Sequence, residues 1–434
     1  MNKHVVDEAL DRVKIIDTHE HFSSSANIVN EGADLPAILP RGYVGFFDFY
    51  PGLQTVNFEK YPELKCKDFP GISTFIKNYH EFEFVDVLDA GIKNLHGKSI
   101  KNMKEHEFLS LNQSILHRYA DPAFRDSVLK AFNVERVILD VPHHAGGLQS
   151  TLSDAFDSQF YKPAMRLNSL LYGFDLDAWN PQTCLMKLMA SDLKVIDRLP
   201  VTFEDFLDKI DRILEWSKGK VVSYKCASAY ERTINFGPKL TAQPKGKKYA
   251  IAKGIFGKPF CKTVEYERLV FGDYVLHHVL STIEGNGIPV QMHTGTAIMP
   301  GSDPKNVDNL IAEYPGIHFT LLHCGYPWTE TVLDMLKRHD NVHGEMVWLQ
   351  TISREAATRF LERAIAEKLH EKVIAFGGDC ASIEGSVGAL LTIKAVARSV
   401  LTRMVDDGRI QKADAGALIE DLFYNNPKAV FFKK

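Results

Sequence analysis

Two histidines one residue apart, His19 and His21, close the apolar run VKIIDTHEHF at residues 13–22. On an extended strand residues i and i+2 face the same side, so the two imidazoles point together. That is half of a metal site or a strand ending in a polar turn, and this stretch alone does not separate the two. Further apolar runs end the same way: SYKC carries Lys225, PVQMH ends in His293, TLLH in His323 and AFGGD in Asp379. A lone histidine on an apolar strand is more often a hydrogen-bonded structural residue. Four histidines and an aspartate, each at the same place relative to its apolar run, point instead to a divalent transition metal.

Neutral imidazoles and a carboxylate suit zinc first, with manganese, iron and nickel as alternatives, and such a ligand set keeps a position open for water. A cation of this kind brings the pKa of water down toward about 7. Asp379 can ligate through one oxygen and take a proton through the other, which makes it the general-base candidate. His323 is placed to polarise a carbonyl or steady a developing oxyanion. Lys225 has two readings: a cation that holds a substrate carboxylate, or a carbamate that bridges two metals. The unmodified amine, and therefore one ion, is favoured.

These residues need a scaffold that brings distant strand ends to one place. Eight short apolar runs recur, at residues 13–21, 134–142, 164–175, 221–228, 288–295, 318–327, 341–349 and 372–380. Helical periodicity separates several of them, most clearly in SREAATRFLERAIAEKLHEK, and closing helices follow the eighth. Repeated βα units of this number predict a (β/α)8 TIM barrel over residues 1–434, read as a single domain. A large, mainly helical insertion follows strand one at 26–130, and a smaller one follows strand four at 231–287. Loops after the strands build the active face of this fold, so both insertions are expected over it.

By position, Arg166 and Arg232 are candidates to pair bidentately with a carboxylate or phosphate. Tyr230, Tyr326 and Trp328 are candidate pocket walls, Glu345 faces the pocket from strand seven, and His143 and His144 follow strand two. Asp17 is expected to orient the histidine pair rather than bind metal.

Composition narrows the function classes. The chain has 434 residues, 45% hydrophobic and 24% charged, with a formal net charge of −4 and scattered basic residues. A polyanion is therefore excluded as the main partner, and a small-molecule substrate is expected. The start, MNKHVVDEALDRVK, reads as an amphipathic helix without signal-peptide character, and no segment reads as a membrane span. Six cysteines without a CxxC pair fit reduced thiols, so a cytoplasmic enzyme that can form homo-oligomers is expected.

The pieces DTHEH, YKCASAYER, QMHTG, LLHCGYPW, FGGDC and LFYNNPKAVF together resemble the amidohydrolase superfamily, in its amidohydrolase-related branch. The resemblance implies a metal-dependent barrel that mostly hydrolyses amide or ester bonds. It implies metal ligands at His19, His21, His293 and Asp379. The insertion after strand one also resembles that of uronate isomerases. YKCASAYER, HTG and HCGYPW are similar to the amidohydrolase-like domain found fused to a glutamine-synthetase domain. Some relatives in the branch are decarboxylases, so the resemblance predicts the metal better than the reaction.

Overall fold

The computed structural model describes residues 5–23, 34–41, 68–79, 82–140, 147–153, 156–178, 184–238, 246–297 and 300–432. His143, His144 and Cys66 lie outside the described residues, as does part of each insertion. Eight strands run in sheet order β1 to β8, the same as their sequence order. They are β1 Ile15–Glu20, β2 Val134–Leu139, β3 Tyr161–Arg166, β4 Ser223–Cys226, β5 Val290–His293, β6 Phe319–Leu322, β7 Val342–Glu345 and β8 Val373–Ile374. The helices used below are α1 Glu83–His96, α2 Phe124–Ala131, α3 Phe203–Ser217, α4 Glu265–Ile283, α5 Thr329–Arg338, α6 Arg354–Ala366 and α7 Ile383–Asp406. Parallel pairing in sequence order with helices between the strands is the topology of a (β/α)8 barrel.

All eight expected strands are present. The third differs in extent: the run 164–175 is a strand only to Arg166, which β3 reaches from Tyr161, and Asn168–Leu171 then turns into a short helix. Apolar content does not distinguish a buried strand from a buried helical turn, so the run reads as one element in the sequence.

The chain forms two compact units, one of residues 1–139 and 345–429, the other of 140–344 and 430–434. In the second unit the register puts Arg166 beside Lys225, Lys225 beside Gln291, and Gln291 beside Thr320. Alternation then places Arg166, Lys225, Gln291, His293 and Thr320 on one face of the sheet. Met165, Tyr224, Val290, Met292, Phe319 and Leu321 take the other. Tyr224 marks the helix side, because its hydroxyl lies 2.8 Å from Ser217 Oγ at the end of α3. The polar row therefore faces away from the helices, although every one of these strand residues except Arg166 is buried. Thr202 starts α3 by accepting from the Asp205 N–H at 3.1 Å, which satisfies one of the free donors of the first turn.

In the first unit α1 and α7 approach until their backbones touch. A Cβ on Gly91 would lie 1.8 Å from the Glu384 carbonyl oxygen, and one on Gly388 would lie 1.9 Å from that of Val87. Around this crossing, His96 Nε2 is 3.0 Å from Glu384 Oε1, and Tyr119 donates to Glu384 Oε2 at 2.8 Å. Gly91→Ala is expected to lower stability by about 1–3 kcal/mol, because the clash is with backbone and not with a flexible side-chain end. Urea unfolding with an unchanged slope and a lower midpoint is the expected record. By length and composition alone α7 could cross a membrane, in contrast to the sequence expectation that no segment qualifies. Yet 61% of its apolar window is buried within the protein.

Candidate metal centre

Strand β1 brings His19 and His21 to its end, and the turn FGGDC after β8 brings Asp379 to meet them. Asp379 Oδ1 lies 2.9 Å from His21 Nε2 and 3.8 Å from His19 Nε2. The two imidazoles stand edge to face with centroids 4.9 Å apart. All three residues belong to the first unit. Two imidazole nitrogens converging on a carboxylate are a donor set that fits a divalent transition metal.

The backbone explains why the turn is Gly-Gly-Asp. The Asp379 N–H donates to the His19 carbonyl at 2.8 Å, and the His21 N–H to that of Cys380 at 3.0 Å. A Cβ on Gly377 would sit 2.5 Å from Val347 Cγ2 and 3.1 Å from the His19 nitrogen. One on Gly378 would sit 1.9 Å from Glu20 Oε1. Asp379 itself is held at φ +53°, a left-handed conformation that costs a non-glycine residue of order 1 kcal/mol. Thr296 after β5, His323 and Cys324 after β6 and Trp348 after β7 also have positive φ. Five of the nine described non-glycine residues with positive φ thus follow strands.

Below the histidines lies a layer of buried acids. Asp17 accepts from the His19 N–H at 3.2 Å and the Gly378 N–H at 3.3 Å. These two bonds tie the β1 backbone at His19 to the β8 turn. Burial pushes the Asp17 carboxyl up to about 7 against those hydrogen bonds. Burial, then the neighbouring Asp17, pushes Glu20 well above the usual carboxylate range. The two carboxyls lie on either side of an irregularity in β1, and each is pushed up chiefly by its burial. Thr18 donates to Glu345 Oε1 and, at 3.0 Å, to the Phe376 carbonyl. Glu345, read from sequence as facing a pocket, is thus bound to β1.

In the second unit His293 Nδ1 is 3.3 Å from His323 Nε2, and the Tyr230 ring lies 4.3 Å from the His293 ring. Lys225 is 2% exposed, on the same strand face as His293. Arg166 grips Asp140 with both arms of its guanidinium, Nε reaching Oδ1 at 3.1 Å. Asp140 went unnoticed in the sequence; its position directly after the apolar run VIL of β2 was the available signal. Arg232, expected to meet a carboxylate of the substrate, is engaged by the fold: Nη2 lies 2.6 Å from Asp273 Oδ1. Trp328, partly buried, precedes α5 and donates its N–H to the Gly325 carbonyl at 2.8 Å.

Residues 263–433 match the family model described as Amidohydrolase. Among curated proteins none matches this sequence. Among solved structures the chain is similar to glucuronate isomerase from Caulobacter crescentus, at 14% identity and a TM-score of 0.70, covering 99% of this chain and 94% of that one. It is similar to an uronate isomerase from Bacillus halodurans, at 16% identity and a TM-score of 0.65, covering 99% and 96%. A protein from Lactobacillus casei described as a proposed metal-dependent hydrolase aligns at 14% identity with a TM-score of 0.66, covering 99% and 98%. At these identities the likeness is one of fold, and it extends along the whole chain, whereas the family match is confined to 263–433. Strand β5 with its His293, strand β6 with His323 and the turn carrying Asp379 all fall inside that matched stretch, so it is this C-terminal part of the chain that is similar to the Amidohydrolase family.

Proposed function

We propose that this chain is a metal-dependent hydrolase that cleaves an amide or ester bond of a small, carboxylate-bearing substrate with water as nucleophile. The observation that carries the reading is the convergence of His19 and His21 on Asp379. His19, His21 and Asp379 would hold the cation, with zinc favoured; the family resemblance adds His293 as a proposed ligand. When bound, the cation supplies Lewis acidity that activates water at neutral pH. Asp379 accepts the proton of the attacking water and returns it to the leaving group. His323 polarises the scissile carbonyl. Lys225, as an unmodified cation, binds the substrate carboxylate, and Arg166 fixed on Asp140 and Tyr230 line the approach; a carbamylated Lys225 would instead bridge a second ion.

A second reading, a sugar-acid isomerase, is favoured by the fold likeness to two uronate-type isomerases along nearly their whole length. A decarboxylase is chemically compatible with the same ligands. Turnover in ¹⁸O-water of a panel of amides, esters and sugar acids separates them. Hydrolysis is expected to place solvent oxygen in the new product carboxyl; turnover without that incorporation overturns the hydrolase.

A further inference from the structure

The segment that follows β4 is anchored at several points. Arg232 is 6% exposed, and besides the Asp273 carboxylate its guanidinium donates to the carbonyls of Thr233 at 2.9 Å, Leu269 at 3.0 Å and Asn235 at 3.3 Å. The Phe236 ring lies 4.7 Å from the guanidinium carbon. Helix α4 receives this group in a notch, because a Cβ on Gly272 would lie 2.6 Å from Arg232 Nη1. A glycine inside a helix is about 1 kcal/mol worse than alanine, so the notch has a cost that the ion pair explains. Further along α4, His277 Nε2 is 3.3 Å from the Gly237 carbonyl. At the other end of the segment, Asn168 accepts from the Ala227 N–H at 2.8 Å and donates to Glu231 at 3.0 Å.

We infer that Arg232, Gly272 and Asp273 form a clamp that sets Tyr230 against His293, which makes Arg232 a positioning residue. Tyr230 sits two residues before Arg232 and is 42% exposed, yet its ring centroid is only 4.3 Å from that of His293. A side chain so open to solvent keeps one place only if its backbone is fixed, and the clamp fixes it. His293 is then bounded by His323 at Nδ1 and by Tyr230 on the ring. An imidazole held in one orientation loses less freedom when it takes a cation, so the clamp raises metal affinity. This last consequence rests on the proposed role of His293 as a ligand; the clamp itself does not.

The test uses metal-free full-length protein with ¹³C-labelled histidine. The His293 ring resonance is identified by its loss in His293→Gln, and Tyr230→Leu gives its position without the tyrosine ring current. Asp273→Asn and Gly272→Ala are each expected to move the resonance toward the Tyr230→Leu position. No movement in Tyr230→Leu, or none in both clamp variants, overturns the clamp. If Gly272→Ala fails to fold, Asp273→Asn, which adds no bulk, decides. Zn²⁺ affinity from chelator competition is then expected to fall roughly tenfold to a hundredfold in the clamp variants. Unchanged affinity with a moved resonance overturns the positioning role. A parent protein that binds no Zn²⁺ sinks the functional reading, while the resonance still decides the clamp.

Discussion

A His19→Ala/His21→Ala double variant is expected to purify without bound transition metal, where the parent, prepared without chelator, carries roughly one ion per chain. Elemental analysis of both proteins is the measurement. Both imidazoles approach the same oxygen of Asp379, so the double substitution takes both ring nitrogens away from that carboxylate. Of this trio only Asp379 would remain, and a single carboxylate does not hold a transition metal. Loss of turnover should accompany loss of metal and should not recover when Zn²⁺, Mn²⁺, Fe²⁺ or Ni²⁺ is added back. Parent protein that contains no such metal and takes none up would end the hydrolase and isomerase readings together. The variant should remain folded, because His19 and His21 add no apolar core and the backbone bonds between β1 and the β8 turn do not involve their rings.

Gly378→Ala should do what no change at an exposed glycine does: lower stability and metal content together. The added carbon would lie 1.9 Å from Glu20 Oε1 and 2.7 Å from its carboxyl carbon. Glu20 is 0% exposed and its Oε2 accepts from the Cys380 N–H at 2.7 Å, so it has nowhere to swing. The turn must shift, and with it the next residue, Asp379. A stability loss of about 1–3 kcal/mol is expected from the overpacking. Weaker Zn²⁺ binding should follow from the displaced carboxylate. Gly254→Ala is the control: nothing lies within 4 Å of the added carbon, and a helix gains by exchanging glycine for alanine. Its midpoint should rise or stay level with metal content unchanged. If Gly378→Ala matches the control in both readouts, the turn does not set the site.

How much of this was legible in the sequence follows from the range of the forces involved. The strands could be read because burial on both faces makes each a short apolar run, and seven of the eight fall inside their expected windows. The run expected for β3 starts late, at 164, and overruns the strand to 175, because an apolar run does not say where extended backbone turns into helix. His19 and His21 could be paired at once, since i and i+2 on one strand share a side. Asp379 could be suspected by analogy of position and from the family resemblance. Its contact with His21 spans 358 residues of chain, and no local rule covers that.

The arginines show the limit from the other side. Arg166 and Arg232 look alike in sequence, each at or just past a strand end, but their surroundings differ. Arg166 meets Asp140 from the end of β2, whereas Arg232 turns into a notch that exists only because Gly272 lies on the helix opposite. Which carboxylate an arginine meets depends on packing between elements, which residue type does not encode.

By itself, then, the sequence determined the βα order, the pairing of His19 with His21 and the chemical character of the strand-end residues. These depend on backbone periodicity and side-chain chemistry, which act over a few residues. Tertiary structure alone decided that Gly377 and Gly378 let the β8 turn close on β1, that Asp379 reaches both histidines, and that Arg232 serves as an anchor. The reason is steric: whether two backbones can come within van der Waals contact is a property of the packed chain, and a missing Cβ gains meaning only once its neighbour is in place.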